Sequence, residues 1–315
     1  MAAARELTVE IDCPAASADA PARAAVGWLT EARDALFPGL GPALATDPPA
    51  PGPDENNPRA AWGPANGVCA QLLVQRSART PPRQSRFSPR RWRTLLASLD
   101  ATDKAPPVRV SLLLHPLDPR GLPVDEEHAL TVEYVWLAGG GEAGESGGWL
   151  RCLATAPESL LRQPDANDTQ RRWLDALATW ADRLDAAYAH LTDDADLEYG
   201  TALERVLHRW PEDTVPDSGR LLRGYSWTTV CSPDVAQQVG GADQLRASGA
   251  FRAVTELAAG RVLLQATERL EDYGPGSAAR VLRALAPALP EGRTDAEYVY
   301  PWMRLVPDGD AADHR

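Results

Sequence analysis

The sequence predicts an α+β fold of antiparallel or mixed sheets with helices packed on one face, and three observations carry that expectation. Residues 108–114, 129–137 and 149–154 are consecutive strand-like runs joined by polar, Pro- and Gly-rich loops, which suggests an antiparallel meander. Amphipathic segments with apolar residues three and four apart fall between the strand runs, as helices covering a sheet would. The stretch 224–241, GYSWTTVCSPDVAQQVGG, reads as one strand, one short capped helix and one tight stop.

Taken in order, residues 6–13 alternate apolar Leu7, Val9 and Ile11 with polar Glu6, Thr8 and Glu10, the pattern of a strand with one buried face. Asp19 and Pro21 open a helix carrying Ala25, Trp28, Leu29, Ala32 and Leu36 on one side, and Pro38 and Gly39 stop it. Residues 42–64 are rich in Pro, Asn, Asp and Gly and read as a surface loop or insertion. Residues 68–74, VCAQLLV, form a short apolar strand. The run RSARTPPRQSRFSPRR that follows carries several Arg and no acid. It is either a solvated loop feeding a helix or a contact for an acidic partner. Ser88 caps that helix, Pro89 begins it, and Trp92, Leu95, Leu96 and Leu99 fall at i, i+3, i+4 and i+7. After the meander and its Gly-rich tip at 139–148, residues 169–191 make the longest helix, with Trp173, Leu177, Trp180, Leu184, Tyr188 and Leu191 on one stripe.

TDDADLEYG is an acidic turn, and a helix over 201–210 ends at Pro211. Residues 225–231 alternate with period two, as a half-buried strand does. Ser232 then caps a helix, Pro233 occupies its first turn, and Gly240 or Gly241 closes it in the left-handed conformation. Residues 251–257 and 260–267 read as a hairpin. Ser277 caps a last helix bearing Val281, Leu282 and Leu285, and the tail after Pro307 reads as frayed. The second half loosely echoes the first in element order, which suggests two lobes, 1–165 and 166–315, or one continuous domain.

The 315 residues carry a formal net charge of −12, which argues against nucleic acid or an anionic membrane as main partner. The N-terminus lacks the pattern of a secretory signal, and no run approaches the roughly 18 apolar residues of a membrane helix, so a cytoplasmic protein is expected. Cys13, Cys69, Cys152 and Cys231 form no C-x-x-C pair and lie in or beside strand-like runs, so buried free thiols are expected.

Chemistry is sparse. His115, Asp118, Glu126, Glu127 and His128 bracket one loop, but their spacing matches no helical i, i+4 pair and no compact zinc pattern. Asp193, Asp194 and Asp196 begin like a calcium loop, yet Glu198 stands where that loop needs Gly, so a solvated helix end is the better reading. Nucleophile-elbow, P-loop and dinucleotide-binding motifs are missing. Several of the ten Trp lie on helical stripes and read as core. No catalytic residue, metal ligand or cofactor is assigned.

One segment carries a family likeness. Gly224, Trp227 and Thr229 spell G-x-x-W-x-T; a short helix follows that ends in Gly240 and Gly241, then Leu245, then a G-x-x-L-L-x-A strand beginning at Gly260. This order resembles a family of bacterial proteins, formerly of unknown function, described as type VI secretion immunity-like. The resemblance implies a non-enzymatic cytoplasmic protein that binds and neutralises a partner toxin. An acidic inhibitor suits a basic toxin, with Asp125, Glu126, Glu127, Asp193, Asp194, Asp196 and Glu198 as candidate contacts. The alternatives are an enzyme with a site assembled in space, from His115, His128 and Asp118, or a structural component of a bacterial assembly.

Overall fold

The α+β class is observed. The computed structural model describes residues 5–15, 21–44, 60–99, 106–124, 126–136, 148–195 and 200–315. Its strands are β1 (Glu6–Pro14), β2 (Val68–Gln75), β3 (Arg83–Arg86), β4 (Arg109–Pro116), β5 (His128–Trp136), β6 (Gly148–Pro157), β7 (Tyr188–Thr192), β8 (Thr228–Cys231), β9 (Ala253–Glu256) and β10 (Val262–Gln265). The helices are α1 (Pro21–Gly27), α2 (Arg33–Leu36), α3 (Leu40–Ala43), α4 (Pro89–Leu99), α5 (Ala166–Arg183), α6 (Ala202–Val206), α7 (Pro211–Thr214), α8 (Pro233–Gln238), α9 (Gly241–Ala247) and α10 (Pro275–Leu285). The chain divides into two compact units, one of residues 18–135 and 150–157, the other of residues 1–17, 136–149 and 158–315.

In the first unit the strand order is β3-β2-β4-β5-β6, with β3 at the edge. β2 and β4 pair antiparallel from Val68↔Pro116 to Gln75↔Arg109, and β4 and β5 from Arg109↔Glu133 to Leu114↔His128. α1 runs through a π-helical turn, Trp28–Ala32, into α2. Ala25, Trp28, Leu29, Ala32 and Leu36 are all buried, the set that the sequence periodicity selects. The Trp28 indole N–H donates to Leu153 O at 3.0 Å, which satisfies its one polar atom inside the core. α4 starts where Ser88 Oγ accepts the Arg91 amide and buries Trp92, Leu95 and Leu99.

In the second unit the order is β1-β7-β8-β10-β9, and every pairing given for it is antiparallel. The expected hairpin is β9–β10, in register from Val262↔Glu256 to Gln265↔Ala253. α5 packs on β1 and β7. All four cysteines are buried thiols, and burial pushes the thiols of Cys13 and Cys231 up to about 12 and that of Cys69 to about 11.

Six local expectations are corrected. The last helix starts at Pro275 with Gly274 at its N-cap, so Ser277 lies inside α10 and does not cap it. β1 is buried on both faces, because its Glu10 and Asp12 face a buried arginine instead of water. The long helix ends at Arg183, not 191. Asp185 turns the chain at φ 55°, and the residues from Tyr188 onward bond to both β1 and β8, two ladders that outweigh a local helical stripe. The helix over 201–210 shortens to α6, held by a capping box between Thr201 and Glu204. The strand expected over 225–231 begins only at Thr228 and is buried on both faces. The tail is pinned, since Arg315 donates to Ala286 O and to Leu289 O at 2.8 Å.

The turn between α8 and α9 uses two left-handed glycines, Gly240 at φ 91° and Gly241 at φ 80°. A Cβ at Gly240 would also meet the Gln244 side chain, whereas one at Gly241 meets nothing within 4 Å. The left-handed region costs a residue with a Cβ about 1–2 kcal/mol. Gly240→Val and Gly241→Val are each expected to lower the urea midpoint, Gly240→Val by more, and equal midpoints for the two would contradict the crowding at Gln244.

Candidate binding surface

The second unit holds two buried charge networks. The first centres on Arg223, whose side chain is fully buried. Its Nε and Nη2 donate to the two Glu204 carboxylate oxygens at 2.8 and 2.9 Å, a bidentate pair. Its Nη1 donates to Glu10 and Asp12, two residues apart on one face of β1. The guanidinium also lies 5.7 Å from the centre of the Tyr188 ring, and the Tyr188 hydroxyl contacts His190 Nδ1 at 3.0 Å. Burial alone would pull the Arg223 pKa down, but Asp12, Glu10 and Glu204 outweigh it and push it well above its ordinary value. Gly200 makes room for this group, since a Cβ there would collide with Arg223 Nη2. The side chains of Glu10, Asp12, Glu204 and Arg223 are at most 1% exposed.

The second network explains where the sequence-selected acids go. Asp193 is buried and accepts from Arg304 Nη2 at 2.6 Å and from Arg5 Nη2. Asp194 accepts the Arg304 backbone N–H at 2.7 Å and the Thr192 hydroxyl, and its burial raises its carboxyl pKa. Arg304 also donates to Tyr273 O at 2.6 Å, and the Val306 N–H donates to the Tyr225 hydroxyl at 3.0 Å. Asp193 and Asp194 therefore sit inside the chain and not at a solvated helix end. Asp125, Asp196 and Glu198 lie outside the described residues. Glu127 is exposed at 3.5 Å from His115 Nε2, and Glu126 is partly buried beside His128. Asp118 caps its own turn by accepting the Arg120 and Leu122 amides, and His128 packs edge-on against Phe37 at 5.2 Å. His115, Glu126, Glu127 and His128 are thus neighbours, while Asp118 bonds within its own turn. Among the described residues no group of three or more His, Cys, Asp or Glu could hold a metal.

Together the two networks fix a surface. The Arg304 anchor holds the segment 294–309, which is closed at its base by Thr294 Oγ1 donating to Val306 O at 2.6 Å and the Asp308 amide donating to Thr294 O at 2.8 Å. The Arg223–Glu204 pair holds α6. Arg205 of α6 lies 5.4 Å over the Tyr300 ring, and His208, just beyond α6, meets Tyr298 edge-on at 5.3 Å. Tyr300 stacks on Trp302 at 5.9 Å with 6° between planes. The exposed large hydrophobic residues of the described chain are Tyr298 (44%), Tyr300 (40%) and Trp210 (43%), the last two residues beyond His208. Trp and Tyr beside Arg are the composition of binding hot spots. Sequence reading placed Trp in the core, which is right for Trp28, Trp173 and Trp227, and it passed over EYVYPW at 297–302. Three aromatics in five residues, outside any periodic stripe, was the available signal.

Of the family-like residues, Gly224, Trp227, Thr229 and Leu245 are buried, while Gly240 and Gly260 are exposed at turns. Gly224 packs on Thr201, where a Cβ would come within 3.0 Å of the threonine side chain. Trp227 is fully buried with its indole N–H on Thr267 O at 3.0 Å, Leu245 and Thr229 are buried, and Gly260 turns the chain at φ 81°.

No protein-family model and no curated protein matches the chain. Among solved structures, the Pseudomonas aeruginosa T6SS protein PA0821 is similar in fold, with a TM-score of 0.51 at 16% identity, over 98% of this chain and 80% of that one. No helix of the described residues is long and apolar enough to cross a membrane.

Removing one partner of a buried ion cluster leaves the others desolvated and unpaired, at about 3–5 kcal/mol. Arg223→Met is therefore expected to lower the unfolding free energy by about that amount in urea titrations followed by Trp fluorescence; a loss below about 1 kcal/mol would show that the cluster is not holding the fold. Asp194 adds a pH effect of defined sign. Its folded pKa is raised, so its contribution to stability is full below the unfolded value and is lost as pH rises through the folded one. Asp194→Asn removes that component, and the stability of the variant relative to the parent is expected to rise with pH from about 4 upward.

Proposed function

We propose that this chain is a type VI secretion-associated immunity-type protein that binds a partner toxin and neutralises it without catalysis. The observation that carries the reading is the fold likeness to a T6SS protein over almost the whole chain. The resemblance of the 224–267 segment to immunity-like proteins points the same way. The site geometry agrees with binding: the clustered charges are enclosed, while aromatic side chains on a braced segment face solvent.

The two surface properties divide the work. The net charge of −12 steers a basic toxin toward the protein and raises the association rate. Tyr298, Tyr300, Trp210 and Arg205 then bury apolar area and slow dissociation. The aromatic rings are already held by Arg205, His208 and Trp302, so little side-chain entropy remains to be lost on binding.

Co-expression with the product of the adjacent gene tests the proposal. Growth should be arrested by that product alone and restored by this protein, and unrelieved arrest in cells containing both folded proteins would overturn it. Trp210→Ala and Tyr300→Ala are each expected to weaken the complex by about 2 kcal/mol, roughly thirtyfold, in a titration. Their unfolding midpoints should match the parent's.

A further inference from the structure

The first unit carries a surface of opposite character. β2, β3 and α4 border a groove of about 870 Å³. Arg76, Arg83, Arg90 and Arg91 line it, all four are exposed, and among the described residues none forms an ion pair with an acid. Leu72 and Val74 of β2 and Leu95 of α4 supply its apolar lining. Two periodicities produce this arrangement. Leu72 and Val74 are spaced two apart on β2, with Arg76 just past its end, and Arg91 and Leu95 are four apart on α4, so each element turns one row to the groove. β3 is the edge strand, so no further strand of the described residues lies beyond it. The Arg90 and Arg91 side chains emanate from the first turn of α4, where the helix dipole also favours negative charge.

Four guanidinium groups in one groove of a chain with net charge −12 are a local reversal of sign. Like charges gathered without counter-charges repel one another, and a bound anion relieves that repulsion. The apolar lining and the length of an eleven-residue helix suit an extended chain with alternating side chains. A phosphate backbone would meet the same arginines but carries no aliphatic side chains for Leu72, Val74 and Leu95. We propose that this groove binds an acidic, extended peptide segment of a partner protein, with carboxylates on the arginines and apolar side chains on Leu72, Val74 and Leu95. This goes beyond toxin neutralisation and does not depend on it.

Fluorescence anisotropy on the full chain tests it, with a labelled ten-residue peptide alternating Glu and Leu. Controls are a Lys–Leu peptide of the same length and a ten-nucleotide single-stranded DNA. The Glu–Leu peptide is expected to bind more tightly than both controls, and to weaken as salt rises. The Arg83→Glu/Arg90→Glu double variant is expected to weaken it about tenfold or more, with an unchanged unfolding midpoint. Equal binding of the two peptides, tighter binding of the DNA, or indifference to the charge reversal in a folded variant would each overturn the proposal. Should the double variant unfold, Arg83→Gln/Arg90→Gln is measured instead and is expected to show a smaller loss in the same direction.

Discussion

The contact between Arg223 and the carboxylates of Glu10, Asp12 and Glu204 sets the conditions for the rest of the second unit. A guanidinium without water needs every donor satisfied, and three carboxylates without water need a cation. Each side therefore forbids any arrangement that moves the other. Arg223 precedes β8, Glu10 and Asp12 sit on β1, and Glu204 sits on α6, so one group fixes three elements at once. A hydrophobic cluster of similar volume could match it in stability, but it would tolerate sliding of β1 along β7 by two residues. The charged cluster does not, because a slip would strand Glu10 or Asp12. Its contribution is to uniqueness of register more than to net free energy.

The surface inherits this rigidity. Glu204 completes the capping box of α6 while it holds Arg223, so the helix that presents Arg205 cannot rotate without breaking both. Arg304 does the same for the segment carrying Tyr298 and Tyr300, through Asp193, Asp194 and the Tyr273 carbonyl. A loop whose backbone is tied down from inside can leave large aromatic side chains in solvent without collapsing onto them. Such preorganisation raises affinity by reducing what must be ordered at the moment of binding. In the proposed binding role, the buried acids would act through position, not through contact.

The sequence made legible those features whose physics is local. Ser232 accepting the Val235 amide, the left-handed Gly240 and Gly241, the β9–β10 hairpin and the buried stripe of α4 each depend on residues within a few positions of one another. What it hid is non-local. Glu10 and Arg223 are 213 residues apart, and Asp193 and Arg304 are 111 apart. A lone acid in a sequence reads as solvated, because burial of a charge is rational only once its partner is known. The same limit misplaced the end of α5. Tyr188 and Leu191 do continue the helical stripe, and only the pairing of β7 with strands far away in the chain makes extended backbone the better choice there. The aromatic surface is hidden for a different reason: residues 297–302 belong to no helix or strand, so no hydrophobic period marks them.

Fold and partner are therefore encoded at different depths. A whole-chain likeness at 16% identity is possible because packing asks for apolar volume at regular positions and little else. Recognition asks for specific side chains at a few exposed positions, such as Tyr298, Tyr300 and Trp210 on one surface and Arg83, Arg90 and Arg91 on the other, which core packing does not specify. Their chemistries also respond differently to solvent. Attraction between arginines and carboxylates in an open groove weakens as ions screen it beyond about 10 Å at 0.1 M salt, whereas burial of Tyr and Trp is nearly indifferent to salt at such concentrations. The two proposed contacts differ enough in physics to be separable by ionic strength alone, so a partner held through the aromatic surface would persist at a salt concentration that empties the arginine groove.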